Sequence, residues 1–417
     1  MNDRVKSEIP FVGLHAHSVA GSLFDALGYP PDHMDFCYEN GGDALALTDH
    51  GNANGLSHQV LHAKKMKEEG KNFKPIFGTE AYFIPSISDW RKEYEKALED
   101  KKRAKTLGSE LSGATVEDEN SSKKVQDVLR RRRHLILLAQ NQTGLQNIFK
   151  LISESYKSEN FYRYPRMDYD LLAKYGEGVI AASACLGGVY SGNYWENREA
   201  GEEAVLQAMR ETTRKMMSIF GDRWYGELQW NNVPEQHIIN KFIIQMHKEF
   251  GIGLVSTADS HYPSKDAWKD RELYKRLGWL GKAAPSYEST ELPIGVDEIG
   301  YELYPKNGDQ MWESYKKYSE ECGVDYDDDI VMKSITHTHE IAHQRIDDFL
   351  PDNKVRLPDF VVPAGYTATQ ALVNMSLEGL RQQGLHNNRE YSDRLRRELS
   401  VIDDRGFSKY FLTMKAI

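Results

Sequence analysis

Two textures alternate along the first 265 or so residues. Short, nearly unbroken apolar runs recur: FVGLHAH from Phe11, ALALT from Ala44, KPIFGTEAYF from Lys74, HLILLAQ from His134, GVIAASACLGG from Gly178, WYGELQW from Trp224 and IGLVSTAD from Ile252. Runs of this length with Gly, Asn or Pro at their ends read as strands buried on both faces. Between them lie stretches with helical spacing, at 30–40, 56–69, 145–156, 200–220 and 235–250. The first of these stops at Gly41-Gly42, and glycine is the common residue just past a helix end. About seven strand segments, most followed by a helix, predict a largely parallel α/β sheet or a (β/α) barrel.

Two regions depart from that rhythm. Residues 86–133 hold RKEYEKALEDKKRAK, a polar stretch and VQDVLRRRR, which predict a charged helical hairpin inserted at the surface, its loop disordered. From about Asp266 the chain turns to helices rich in aromatic and charged residues, and it closes on a helix, a break at Gly406 and an apolar strand-like tail. The expected division is a barrel over 1–270 and a second region over 271–417. Because the tail stops within an apolar run, it reads as a chain cut inside a domain, continued in cis or by another polypeptide.

A length of 417 residues suits about two or three domains. The formal charge of −10 excludes a generally basic nucleic-acid-binding surface, so any attraction for DNA has to be local. Three cysteines, Cys37, Cys185 and Cys322, argue against a disulfide framework and for a reducing, cytoplasmic setting. No apolar run approaches the ~20 residues of a membrane span, and the N-terminus lacks a signal-peptide core.

Candidate chemistry gathers at the strand ends. Residues i and i+2 of a strand share a face, so His15 and His17 converge, and Asp259 and His261 repeat the arrangement at the end of the last strand. Asp25, His50, Glu80, His134 and Cys185 also stand near strand ends. These nine nitrogen, oxygen and thiolate donors could fill three metal sites if some carboxylates bridge, and the mixture suits zinc, manganese or iron. Taken singly, Cys185 reads as a small buried hydrophobe, His134 as a hydrogen-bonded strand-end histidine and Asp49 as a loop cap. A rival motif is His339-Glu340-Ile341-Ala342-His343, which matches H-E-x-x-H, the zinc-binding helix of metalloproteases. Only Asp347, Asp348 and Asp352 stand close by in sequence as a third ligand, so this is the weaker reading. The arginines Arg130 to Arg133 offer phosphate contacts, against the commoner reading of a solvated helix end paired with acids.

The segments LHAHSVAGSLFDAL, ALALTDHGNANG, KPIFGTEAYF, HLILLAQNQTGLQNIFKLIS, GVIAASACLGG, WYGELQ and LVSTADSHY resemble the PHP (polymerase and histidinol phosphatase) domain of bacterial C-family replicative DNA polymerases, the polymerase III alpha subunits. ITHTHEIA, LPDFVVPAGYTATQALVNMSLEGL and RRELSVIDDRGFSKYFL resemble the start of the palm region. The resemblance implies a distorted (β/α)7 TIM-like barrel, then a mainly helical partial polymerase region. It also implies a trinuclear centre: His15, His17, Glu80 and Asp259 on one metal, Glu80 bridging to a second held by His134 and Cys185, and Asp25, His50 and His261 on the third. Every family ligand position is filled. The spacing from His17 to Asp25 is one residue longer than the family's, Ala26 replaces a usual glycine, and the paired aspartates of nucleotide addition are not reached.

The expected activity is metal-dependent phosphodiester hydrolysis at a DNA 3′ end, a proofreading 3′–5′ exonuclease in which Asp259, His261 and Glu80 carry the catalysis. The rivals are a metal-stabilised module without chemistry and a hydrolase of small phosphomonoesters or pyrophosphate.

Overall fold

In the computed structural model, residues 4–110, 116–279, 301–351 and 360–416 are described. The polar stretch expected to be a disordered loop includes 111–115, which lies outside them. Eight strands form the sheet: β1 (Ala44–Leu47), β2 (Lys74–Phe83), β3 (Arg133–Ala139), β4 (Phe161–Tyr162), β5 (Tyr164–Met167), β6 (Val179–Ala182), β7 (Trp224–Gln229) and β8 (Gly253–Thr257).

The barrel closes through the opening segment, which pairs by single bridges rather than as a regular strand. Gly13 bridges Leu45 of β1, and Ala16 bridges Ser260 just past β8. His17 N–H donates to the Ser260 carbonyl at 2.7 Å and Thr48 N–H to the Ala16 carbonyl at 2.7 Å. The circuit therefore runs from the opening segment through β1, β2, β3, β6, β7 and β8 and back, giving the seven staves of a distorted (β/α)7 barrel. Within this circuit all neighbours are parallel except β3, which is antiparallel to both β2 and β6, while β4 and β5 form an antiparallel pair outside it. The predicted run of parallel strands thus has one reversed member, and it is the strand that follows the inserted hairpin.

Strand alternation sorts the apolar residues into two cores. Leu14, Ala46, Ile136, Leu138, Ile180 and Val255 share one cluster. Phe77, Leu135, Leu137, Val179, Ala181 and Leu254 belong to the other, together with residues of the helices. The first set lines the barrel interior, where Ile136, Leu138, Ile180 and Val255 border a cavity that also touches Ile341. Both faces of each stave are buried, which explains why the strands read as continuous apolar runs.

The hairpin is two helices, Ile87–Glu110 and Val116–Arg130. It has its own apolar cluster of Ile84, Ile87, Trp90, Ala97, Val125, Val128 and Leu129. Trp90 Nε1–H donates to the Val128 carbonyl at 2.9 Å, and the Arg166 guanidinium lies 4.3 Å above the Trp90 ring.

One compact unit spans Met1–Pro351 and a second Asp352–Ile417. A boundary at 270 therefore falls inside the first unit. Helices Gly308–Glu321 and Asp328–Glu340 send Met311, Tyr315, Val331 and Ile335 into the main core, and Asp309 accepts hydrogen bonds from the Glu8 and Ile9 amides. In the second unit, helices Ala368–Gln382, Arg389–Asp404 and Ser408–Ala416 are joined by Thr369, whose hydroxyl reaches Asp403 and Ser408. The expected strand-like tail is thus a helix, since a short apolar run does not distinguish the two. No helix of the described residues is long and apolar enough to cross a membrane.

Candidate metal centre

In a parallel barrel the strand C-termini make one rim. The opening segment brings His15 and His17 there, the turn after β1 brings His50, and β8 brings Asp259 and His261. His134 arrives by a different route. It begins β3, and because that strand runs backwards its start lies at the same rim. The His134 amide then donates to the Gly187 carbonyl at 2.8 Å, which docks the Cys185 turn beside it.

All nine sequence-predicted donors meet in one connected cluster. His15 Nε2 and His17 Nε2 are 3.0 Å apart, and both face Asp259 Oδ1, at 3.0 and 3.2 Å. The same nitrogens approach the two oxygens of Glu80, at 3.4 and 3.6 Å. Glu80 Oε1 also faces His134 Nδ1 at 3.0 Å, while Cys185 Sγ is 3.6 Å from that nitrogen and 3.8 Å from Oε1. On the far side, Asp25 Oδ2 lies 2.9 Å from His50 Nε2 and 3.4 Å from His261 Nε2. His50 Nδ1 lies 2.5 Å from Glu80 Oε2.

Three observations fit this set to metal ions. First, two ring nitrogens and two carboxylates point at a common centre, and a tetrahedron with metal–ligand bonds of about 2.0–2.1 Å has edges of about 3.3 Å, like these separations. Second, Glu80 Oε2, Asp259 Oδ1 and His50 Nδ1 are buried and, for all the close imidazole–carboxylate approaches around them, make no hydrogen bond of good geometry, a costly state for buried polar atoms. Third, the Nδ1 atoms of three histidines are engaged elsewhere. His15 Nδ1–H donates to Glu227 Oε1 at 2.7 Å, His261 Nδ1–H to the Asp259 carbonyl at 2.8 Å, and His17 Nδ1 meets the Ser22 hydroxyl at 3.3 Å. Each ring thereby presents Nε2 to the cluster, the outer support typical of metal-binding histidines.

The electrostatics couple these groups. Burial opposes charge on Glu80, Asp25 and Asp259, yet the surrounding imidazoles outweigh it and hold all three carboxyls well below their usual range. Burial also disfavours charge on His15, but Asp259 and Glu227 raise its pKa well above the ordinary imidazole value. His17 goes the other way, lowered by burial and by His50 and His261. Burial together with Glu80 and Asp259 keeps the Cys185 thiol protonated.

The backbone is strained at the same rim. Of four described non-glycine residues with positive φ, Phe24 precedes Asp25, Ala184 precedes Cys185, and Asp259 is the third. Such conformations persist where the surroundings enforce them, often at functional sites.

Asp49 is buried outside the donor set, accepting from Ser18 N at 2.7 Å, Ser18 Oγ at 3.0 Å and Ser22 Oγ at 3.0 Å, so it pins the loop that carries His17. Two participants were not singled out in sequence. Glu227 accepts from His15, Gln229 and Thr257 on one oxygen and leaves Oε2 buried without a partner. Its only signal was the face it shares with Gln229. Arg271 gives two hydrogen bonds of 2.7 Å to Asp25, one to the carboxylate and one to the carbonyl. Nothing in its charged helix marks it.

Three of the four arginines are partnered within the chain, although Arg133 alone is buried. Arg131 pairs with Glu93 at 2.6 Å, Arg132 lies 3.9 Å over the Tyr164 ring, and Arg133 bonds Asn193 and Glu196.

The match to the PHP domain covers residues 13–231, more than half of the sequence, and the chain belongs to that family. Over nearly its whole length it is similar to the DNA polymerase III subunit alpha. The relative from Aquifex aeolicus is 32% identical over 411 residues, 97% of this chain and 31% of that protein. The relative from Borreliella burgdorferi is 30% identical over 405 residues, 96% of this chain and 29% of that protein. The chain thus spans under a third of the length of these relatives. Among solved structures, an amidohydrolase from Chromobacterium violaceum aligns with 15% identity and a TM-score of 0.31, covering 63% of this chain and 96% of that one. A two-domain protein from Bacteroides vulgatus, described as containing a PHP-like metal-dependent phosphoesterase, aligns with 13% identity and a TM-score of 0.32, covering 65% of this chain and 60% of that one.

Proposed function

We propose that the rim cluster is a trinuclear divalent-metal centre and that it hydrolyses the phosphodiester at a DNA 3′ end, as a proofreading exonuclease. The polymerase region beside which it works is continued in cis or supplied by another polypeptide. The observation that carries the reading is the convergence of nine donors from distant parts of the chain, with buried oxygens among them that make no well-formed hydrogen bond.

His15, His17, Glu80 and Asp259 would hold one ion, Glu80, His134 and Cys185 a second, and Asp25, His50 and His261 a third. Zinc, manganese and iron all suit this mixture. The chemistry such ions supply is acidification of water towards pH ~7 and charge for the attacking and leaving oxygens of a phosphoryl group. The chain's own residues do the rest. Glu80 faces four imidazoles with two oxygens and so fixes the spacing between neighbouring positions. Glu227 holds His15 in one tautomer. Asp259, with its lowered pKa, stays anionic as a ligand, and its carbonyl holds His261 Nδ1, which turns His261 Nε2 towards Asp25 and the third position. Arg271, itself buried, anchors Asp25 through both its carboxylate and its carbonyl and so fixes the third position.

The test offers one preparation, loaded with manganese or zinc, three substrates: a 3′-labelled primer, p-nitrophenyl phosphate and pyrophosphate. Nucleotide release from the primer without turnover of the small molecules is expected. Turnover of either small phosphate with an intact primer would replace this reading with that of a small-molecule hydrolase.

A further inference from the structure

The H-E-x-x-H segment is not absorbed by the rim centre, and the fold gives it a partner that its sequence neighbourhood did not offer. Ile341 and Ala342 are buried at the end of the barrel interior, where they join the cluster of Leu14, Ile136 and Val255. The flanking histidines face the other way, towards Asp43, the residue just before β1. His343 Nε2 is 3.2 Å from Asp43 Oδ1, and His339 Nε2 is 3.7 Å from Asp43 Oδ2. The two rings lie 4.3 Å apart, as residues one helical turn apart on one face do.

We propose that Asp43, His339 and His343 form a second divalent-cation site, separate from the rim centre. Asp43 stands at the start of β1 and His50 just past its end, so the two sites lie about 20 Å apart along the strand at about 3.3 Å per residue. All three ligand atoms fall within 4.8 Å of one another. The His343 Nε2–Asp43 Oδ1 separation again resembles the edge of about 3.3 Å expected around one tetrahedral ion, while His339 Nε2 approaches the other oxygen of the same carboxylate.

The local backbone supports the assignment. Residues Ile341–Arg345 form a π turn, an irregularity that recurs at functional sites. Lys74 is the neighbouring cation, and its ammonium is held by the carbonyls of Ala342 at 2.8 Å and Ile346 at 2.6 Å.

Two imidazoles and one carboxylate suit zinc, and nickel or copper would also bind. All three side chains are about one-third exposed, which leaves open positions for water. Because the ligands come from residues nearly 300 apart, a bound ion would fasten the end of helix Asp328–Glu340 to the base of the barrel. Its role is that of a clasp, and peptide hydrolysis is no part of the proposal.

The test is a zinc titration of the intact chain against a chromophoric chelator, comparing wild type, the double variant H339A/H343A and D43N, each shown to be folded by circular dichroism. The double variant should lose about one equivalent of bound zinc, and D43N should bind that equivalent more weakly. In crystals grown with zinc, an anomalous peak should stand among the three side chains. Equal stoichiometry in wild type and double variant, or anomalous peaks at the rim alone, would overturn the proposal. The H15A/H17A variant separates this result from the rim centre, because it should keep the clasp ion.

Discussion

Glu227 is a residue whose importance lies in what it touches. Its carboxylate fixes the His15 ring, and support of this kind is worth about 10- to 100-fold in metal affinity. The variant E227Q should therefore bind metal about 10- to 100-fold more weakly while keeping the fold, and a chelator-competition titration measures it. An unchanged affinity would show that His15 needs no such orientation. The histidine pairs were legible in sequence because a period of two is local. Glu227 was visible only as a strand residue sharing a face with Gln229, since its meaning depends on His15, 212 positions earlier. Arg271 was silent for the same reason, its partner lying 246 positions away.

At the scale of elements, the reversed strand β3 does most to shape the centre. Were it parallel to its neighbours, His134 would sit at the opposite end of the barrel. The strand's existence was legible from its apolar run, but its direction was not, because direction is set by pairing with β2 and β6. The turn after β6 is equally constrained. A Cβ on Gly188 would lie 2.1 Å from the Ser183 carbonyl oxygen, and the Gly188 amide bonds the Cys185 carbonyl at 2.8 Å. Gly188→Ala should cost about 1–3 kcal/mol by overpacking and displace Cys185 from His134. Denaturant unfolding and the metal stoichiometry check both parts. Stability and stoichiometry equal to wild type would mean that the turn relaxes freely. The hairpin over 86–133 was legible as two charged helices, while its apolar seam around Trp90 was hidden by the surrounding charge.

At the scale of the whole molecule, the metal-free cluster is a network of shared protons. Ligation needs neutral imidazole and thiolate, whereas His15 and His50 hold protons above the ordinary imidazole range and Cys185 keeps its thiol. Loading should therefore release protons, and metal affinity should rise with pH through the neutral range and fall as the solution is acidified. Calorimetry in buffers of different ionisation enthalpy reads the number released, and no exchange would contradict the assigned protonation. Barrel closure lay beyond the sequence pattern, since the closing stave is an irregular segment joined by single bridges. The reach of the first compact unit to Pro351 was also hidden, because amphipathic helices do not announce the surface they cover. The central claim is that the rim centre cleaves phosphodiesters at a DNA 3′ end. The most direct measurement is the metal-dependent rate of nucleotide release from a 3′-labelled primer by wild type and by D259N. Release by wild type, abolished by chelation and lost in D259N, is the predicted result. Equal rates in the two proteins, or no release at any metal loading, would contradict it.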